Sequence, residues 1–517
     1  MFVGRVKMMN NAEIMPMGYS AEGPEKAVFS RREMILSFAA VGLGYGFIKC
    51  FAAPFIINGR MGLGAAALLI FTVIFGFCFK KGKKITPSKA LRTVLCILFA
   101  ANIFISANLL IQTLCFIFSA MIMIYDSIAD TDGRYEKIRR LFPADMFTAV
   151  FRPFDEIGSC PAAIKSAAEK GSAGKTAANA LLGLAIALPS TIIVGILLMS
   201  ADSGFAEILS SFTDGGLRSL MIFAIQVIIG LPVGFYLFSM YRTHKNETVH
   251  SDDELKNMTS AFRFVPASAA AFSAVPLCVM YVIFFFSQAS YFLSAFVSRL
   301  PADTESYSAY ARQGFFQLCI VSVIDLAVII GINLFSKVNE DGKKSGFLKA
   351  MTVTLCVFTV LLIITAVSKM GMYISVYGLT RLRFYTSWFM LLLGVLFIGI
   401  IITVAWERFN LSKFAVTAFT VMFAALSFSN ADRLIAEYNI GRYLDGSLSS
   451  VGITMFSELS ADAIPAAEKL YGHISSEEEN ALEDIVQRKI SEANNADIRS
   501  ITLSEIMADS SASANQR

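Results

Sequence analysis

The chain is poor in charge. Only 16% of its 517 residues are Asp, Glu, Lys or Arg, against about 25% in an average soluble protein. With 55% hydrophobic residues, 45 Phe and a mean hydropathy of +0.61, a disordered chain is excluded. A water-soluble globule of this size is excluded too, because roughly a quarter of the unfolded surface stays exposed after folding. Histidine is scarce: His244, His250 and His473 are scattered along the chain, which argues against a His-based metal site or a Ser–His–Asp triad. The eight cysteines form no CxxC pair and none lies after Cys356, so no disulfide framework and no thiolate metal site is expected. No barrel-like alternation occurs. Nothing calls for a cofactor.

What is present is a series of long apolar runs. A helix needs about 20 mostly apolar residues to cross the hydrocarbon. Eleven stretches qualify: 34–57, 62–79, 91–106, 107–125, 177–200, 219–240, 266–287, 314–335, 347–368, 385–405 and 411–429. Strands are excluded, since open sheet edges cannot sit in lipid. The expected fold class is all-α, a polytopic helical membrane protein. The lipid bilayer is its first partner.

The stretch 89–125 would be about 55 Å long as one helix, against a hydrocarbon core of about 30 Å. Asn102, Ser106 and Asn108 cluster at its middle and predict a tight turn. Cytoplasmic loops are enriched in Lys and Arg. With the turn, the inner loops carry 29 such residues and the outer loops 7. Without it, every later loop flips and the count becomes 17 inside against 19 outside. The turn is therefore expected, with a cytoplasmic N-terminal segment (1–33), an inner loop at 126–176 and an extracytoplasmic C-terminus at the cell membrane. The first run is too long for a signal-peptide h-region and lacks a clear small-residue cleavage site.

Composition changes after Ser429. The last 88 residues hold 15 acidic and 7 basic side chains, about 25% charge, against about 14% before them. The bundle is 34–429, and 430–507 is expected to be a small helical extracytoplasmic region. Residues 508–517, small and polar, are expected to be disordered. In 475–494, Ser475 and Glu478 fit a capping box, and Leu482, Ile485, Val486, Ile490 and Ala493 mark one face. The tail is small for a core of its own, so it is expected to lean on the membrane helices or on a partner. The net charge of +4 divides into +12 on the first 429 residues and −8 on the tail. The basic excess lies mainly in the inner loops and reports insertion, not nucleic-acid binding.

Gly171, Gly174, Lys175 and Thr176 imitate part of a phosphate loop, but position 169 is Glu where the motif needs Gly. A membrane glycosyltransferase needs acids in a sizeable first outer loop, and that loop is only Asn58–Met61.

Polar groups inside the spans are few. Asp325 sits at the centre of 314–335, where a carboxylate costs about 2.5–3.5 kcal/mol on insertion scales. It should face the bundle, either as a neutral acid bonded between helices or as part of a proton relay. Gln317 and Asn333 lie eight residues to either side, making an intramembrane polar site of three. Lys49 interrupts the first span and is expected to snorkel. Pro232, between Gly230 and Gly234, should kink its helix. Gly42 and Gly46 form a small-xxx-small pair.

Basic residues on the outer side run against the charge rule. Arg312, Lys369, Tyr373, Tyr377, Arg381 and Arg383 define a candidate outer platform. It is either a phosphate or carboxylate site with Arg as the fork, or a Tyr/Arg belt or a dock for the acidic tail.

The stretches YARQGFFQL (310–318), KMGMYISVYGLTRLR (369–383), NADRLIAEYNIGRYLDG (430–446) and LSADAIP (459–465) resemble the bacterial multi-pass family catalogued as domain of unknown function 4173, with its sister group 4153. The similarity covers roughly 290–470. Arg312, Gly314, Phe315, Tyr373, Gly378, Arg381, Asn430, Asp432 and Asn439 carry the pattern. Asn is usual near 325, so Asp325 departs from it. The resemblance implies a polytopic membrane protein of the cell envelope and supplies no activity. A non-enzymatic envelope protein, a scaffold or signalling protein with an outer platform for a membrane or envelope partner, is the expected role. A proton-coupled transporter or lipid-handling permease using Asp325 and the outer arginines is the alternative.

Overall fold

The computed structural model describes residues 29–79, 85–129, 138–168, 216–246, 262–287, 307–338 and 344–515, with scattered positions in 183–205 and at 260. The chain is all-α. Among the described residues the only strand-like pairing is an isolated parallel bridge between Val265 and Ser336.

The main helices are α1 (Arg31–Asn58), α2 (Leu63–Phe79), α3 (Pro87–Ile105), α4 (Leu109–Ala129), α5 (Phe142–Phe151) and α6 (Ser159–Ala168). They continue with α7 (Gly216–Asn246), α8 (Ala267–Ser287), α9 (Tyr307–Phe335), α10 (Gly346–Tyr377), α11 (Arg381–Ala405) and α12 (Leu411–Phe428). Among the described residues nine of these are long and apolar enough to span a membrane, and α2 is a shorter apolar helix. The expected stretch 177–200 lies largely outside the described residues, as do the phosphate-loop imitation and residues 1–28.

The expected turn inside 89–125 is there. α3 ends at Ile105 and α4 begins at Leu109. Gln112 holds it, its Nε2 donating to the carbonyls of Met61 (3.1 Å), Ile103 (2.8 Å) and Ser106 (2.8 Å). The Asn102 amide donates to the Ser427 carbonyl at 2.8 Å, tying α3 to α12.

Two helix groups build the bundle. In one, α1 crosses α7 closely enough that a Cβ on Gly44 would stand 2.2 Å from the Gly230 carbonyl oxygen. A Cβ on Gly234 would stand 2.5 Å from the Ala40 oxygen. The small-residue contact is therefore Ala40–Gly44 against Gly230–Gly234. The expected pair is corrected: Gly42 faces open space, and Gly46 meets only a Leu68 methyl. α7 runs through Pro232 as one helix. In the other group, α8–α11 enclose Phe315, Leu355, Met390 and Phe397. Phe99 of α3 stacks on Phe423 of α12 at 5.3 Å, and this aromatic seam joins the groups.

The tail forms a helical cap over one face of the bundle. α13 (Ala431–Leu444), short turns between Met455 and Leu470, α14 (Ser476–Asn494) and α15 (Leu503–Asn515) surround their own apolar core. Ser475 and Glu478 make the capping box, and Leu482, Val486, Ile490 and Ala493 are the buried face of α14. Ala107, Leu379 and Phe384 of the bundle pack against this core, so it is shared. The expected disordered end at 508–517 falls partly outside the described residues, the last of which is Asn515. α15 runs to Asn515, because Ala508 is buried in the cap core and Asn494 donates to Asp509 at 3.1 Å. The opposite face carries α5 and α6, held by Arg242–Glu156 (2.9 Å) and by Asn410 donating to the Ile138 carbonyl (2.8 Å).

Candidate functional site

Each tight turn at the cap face leaves backbone groups without helix partners, and the cap supplies them. At the first turn the amide of Leu63 donates to the Ile501 carbonyl (3.1 Å) and that of Gly64 to the Arg499 carbonyl (2.7 Å). These are the first amides of α2, so the cap completes the start of that helix. A Cβ on Gly62 would lie 2.3 Å from the Ile501 oxygen, so only glycine permits the approach. α1 widens into a π-helical turn at Ile48–Ala52, and Arg499 donates to the Lys49 carbonyl within it (3.2 Å). Arg60 pairs with Glu505 and donates to the Glu492 carbonyl at 3.0 Å.

At the second turn Asp462 accepts from the Ser106 hydroxyl (2.8 Å) and the Ala107 amide (3.1 Å). Ser460 (2.9 Å) and Ser504 add two more hydroxyls, and the single Ser504 proton is shared between Asp462 and the Ile105 carbonyl oxygen at 2.8 Å. Only neutral donors reach this carboxylate. Burial therefore outweighs the hydroxyl hydrogen bonds, Asp432 adds repulsion, and the Asp462 carboxyl lies above its ordinary range.

At the third turn Asn439 bridges both polar groups of Leu379. Its oxygen accepts the amide (2.7 Å) and its nitrogen donates to the carbonyl (2.7 Å). Gly378 beside it has φ +74°, and a Cβ there would stand 2.5 Å from the Asn439 oxygen. Arg381 donates to both oxygens of the fully buried Asp432, Nε at 2.8 Å, while the Ser460 amide donates at 2.8 Å. Burial alone would raise this carboxyl; the guanidinium and the Ser460 donors overcome it, and Asp432 lies below its ordinary range. Arg442 reaches the Ser375 carbonyl at 2.7 Å.

The sequence-predicted platform thus divides. Arg381, Asp432, Asn439 and Gly378 meet in the joint. Asn430, with Ser429, forms the two-residue hinge between α12 and α13, and takes a left-handed φ of 51°. Arg383 turns back onto the end of α10, lying 4.1 Å over the Tyr373 ring and donating to the Tyr377 carbonyl at 3.0 Å. Tyr373 and Tyr377 pack edge to face at 5.1 Å. Lys369 is buried within α10. Arg312 falls in α9, and its side chain lies outside the described residues.

The proposed intramembrane site does not gather. Asp325 is fully buried and accepts from Tyr281 of α8 (2.5 Å) and Thr359 of α10 (2.7 Å), linking three helices. Gln317 is exposed on the same helix, and Asn333 pairs with Lys344 at 2.7 Å near the opposite face. Eight-residue spacing turns a helix by about 80° per step, so the three side chains diverge.

Sequence reading missed Asp462, Arg442, Arg499 and Ser504. Asp462 lies inside the LSADAIP motif, which was its available signal. Arg499 and Ser504 have no local signal for their role in the joint, because their partners in the bundle, Lys49 and Ile105, are more than 390 residues away.

A polar cleft of about 700 Å³ lies between the cap and the first two turns, edged by Asn58, Arg60, Lys489, Glu492, Asn495 and Glu505. The family described as domain of unknown function (DUF4153) matches residues 93–470. The chain belongs to this family, the sister group of the sequence resemblance. No curated protein and no solved structure matches the chain.

Proposed function

We propose that this protein is a non-enzymatic membrane scaffold of the bacterial cell envelope that holds a rigid helical cap outside the membrane for a membrane or envelope partner. The carrying observation is that the cap supplies hydrogen-bond partners to three separate turns of the bundle, from Leu63 to Leu379. A domain merely tethered to the last helix would not be needed by α2 for its first amides. The Lys/Arg distribution supports a cytoplasmic N-terminus at the cell membrane with the cap outside. A reporter fused after Ala512 is expected to work only when exported; a cytoplasmic signal rejects the orientation.

The scaffold role is tested by proximity labelling from the cap in intact cells. Labelling of specific envelope proteins is expected to be lost in Arg381→Glu and retained in Asp325→Asn. Identical labelling in both variants rejects the role. The transporter or permease reading has weaker support, because Asp325 spends both oxygens on interhelical hydroxyls and Arg381 and Arg383 are engaged. Unaltered proton-coupled uptake in Asp325→Asn vesicles removes it.

A further inference from the structure

The cap carries an exposed apolar side chain on a loop bonded to the first two apolar helices. Ile498 is 73% exposed, on the loop between α14 and α15. Its chain neighbour Arg499 fixes that loop's depth at two points. The Arg499 guanidinium bonds the Lys49 carbonyl, nine residues before the end of α1, or roughly 13 Å down that helix. The Arg499 carbonyl takes the Gly64 amide in the first turn of α2. Both partners belong to apolar helices, so the loop lies directly beside α1 and α2. On α1 above this level, Ile56 and Ile57 are 78% and 77% exposed. The only charges flanking Ile498 are Asp497 and Arg499, which pair with each other. The loop can therefore enter a low-dielectric region without an uncompensated charge.

We propose that the 497–501 loop is a lipid contact: Ile498, with Ile56 and Ile57, forms a wedge at the boundary between headgroups and acyl chains. The occupant is the bilayer itself, because the loop is hydrogen-bonded to two apolar helices that expose their own large apolar side chains. Isolated apolar residues on a soluble surface need no explanation. This one is pinned to the interior carbonyl of a membrane helix. The cap is then held by lipid as well as by the bundle, in the manner of an interfacial anchor. The inference concerns the cap's surface and stands whether or not the cap has a protein partner.

The test reconstitutes the full chain in phosphatidylcholine vesicles with Ile498→Trp, read against the wild-type signal from Trp388 and Trp406. The added emission should be blue-shifted, lost when the lipid is brominated on its acyl chains, and little affected by iodide. Ile57→Trp is the depth reference. Loss to iodide but not to bromolipid places Ile498 in water and overturns the proposal. Loss to neither means that protein covers it, a second copy or a partner, and also overturns it. Should the indole prevent folding, Ile498→Cys with a nitroxide label, in a chain with Cys78→Ser, gives the same reading. Oxygen must then relax the label more than a nickel chelate does.

Discussion

The cap grips its two sides by different chemistry. Toward α10 and α11 the grip is charged and made by side chains: Arg381 on Asp432, with Asn439 across Leu379. Toward α2, α3 and α4 the cap's own carbonyls take the α2 amides, the carboxylate of Asp462 rests on hydroxyls and one amide, and charge enters through Arg60 on Glu505. The difference follows from the turns themselves. The third turn leads into a helix that begins with Arg381, so a cation stands at the face and can meet a carboxylate. The second turn offers only Ser106, Ala107 and Asn108. The lesson is that two enclosed aspartates 30 residues apart have opposite character because of what the bundle presents to each.

The sharpest way to break this contrast is Arg381→Glu, which sets a carboxylate against buried Asp432. Losing one partner of a buried pair costs about 3–5 kcal/mol, and protease sensitivity of the cap in spheroplasts should rise steeply. Replacing both residues by Leu should restore much of the resistance. An unchanged cleavage pattern in the single variant would show that the charged grip is dispensable. Asn439→Ala comes next. It leaves the Leu379 amide and carbonyl without partners, at about 1–3 kcal/mol for each group that stays dry, and hydrogen exchange should accelerate at 378–380. Gly62→Ala attacks the other side. Its Cβ cannot fit beside the Ile501 oxygen, so exchange should accelerate at 499–502 while the Arg381 side stays protected, for about 1–3 kcal/mol. Equal loosening on both sides would mean that the cap releases as one unit.

Acid should separate the two grips without mutation. Asp432 lies below the ordinary carboxylate range because Arg381 outweighs its burial. Its stabilising contribution is present above the unfolded value near 3.9 and is lost as pH falls through the lower folded value. Asp462 lies above the ordinary range, so it contributes in the reverse sense: the cap gains stability as pH falls from neutral through that raised value. Cap resistance measured against pH should first rise slightly and then fall in stronger acid, and Asp462→Asn should remove only the rise. The smallest effect is expected from Asp325→Asn, about 1 kcal/mol of bundle stability. It shifts the melting temperature with no change at the cap.

The sequence alone carried the membrane architecture, because lipid reads composition directly. An apolar run of the right length is a span whatever its neighbours are. It also carried the α3–α4 turn, from three polar residues and a charge count, and the capping box of Ser475 and Glu478, whose partners are three residues apart. Arg381, Asp432 and Asn439 were legible as positions of interest, but not as partners of one another and of Leu379. Gly42 and Gly46 misled, because a small-residue pair does not say which helix approaches it; that depended on where Gly230 and Gly234 came to lie. Asp325 was legible as buried, whereas its two hydroxyl partners come from helices 44 and 34 residues away. Only the tertiary structure decided that the tail joins three separate turns of the bundle. The physical reason is that orphan backbone groups at a turn look alike in every sequence, and their partners are found only when distant segments meet.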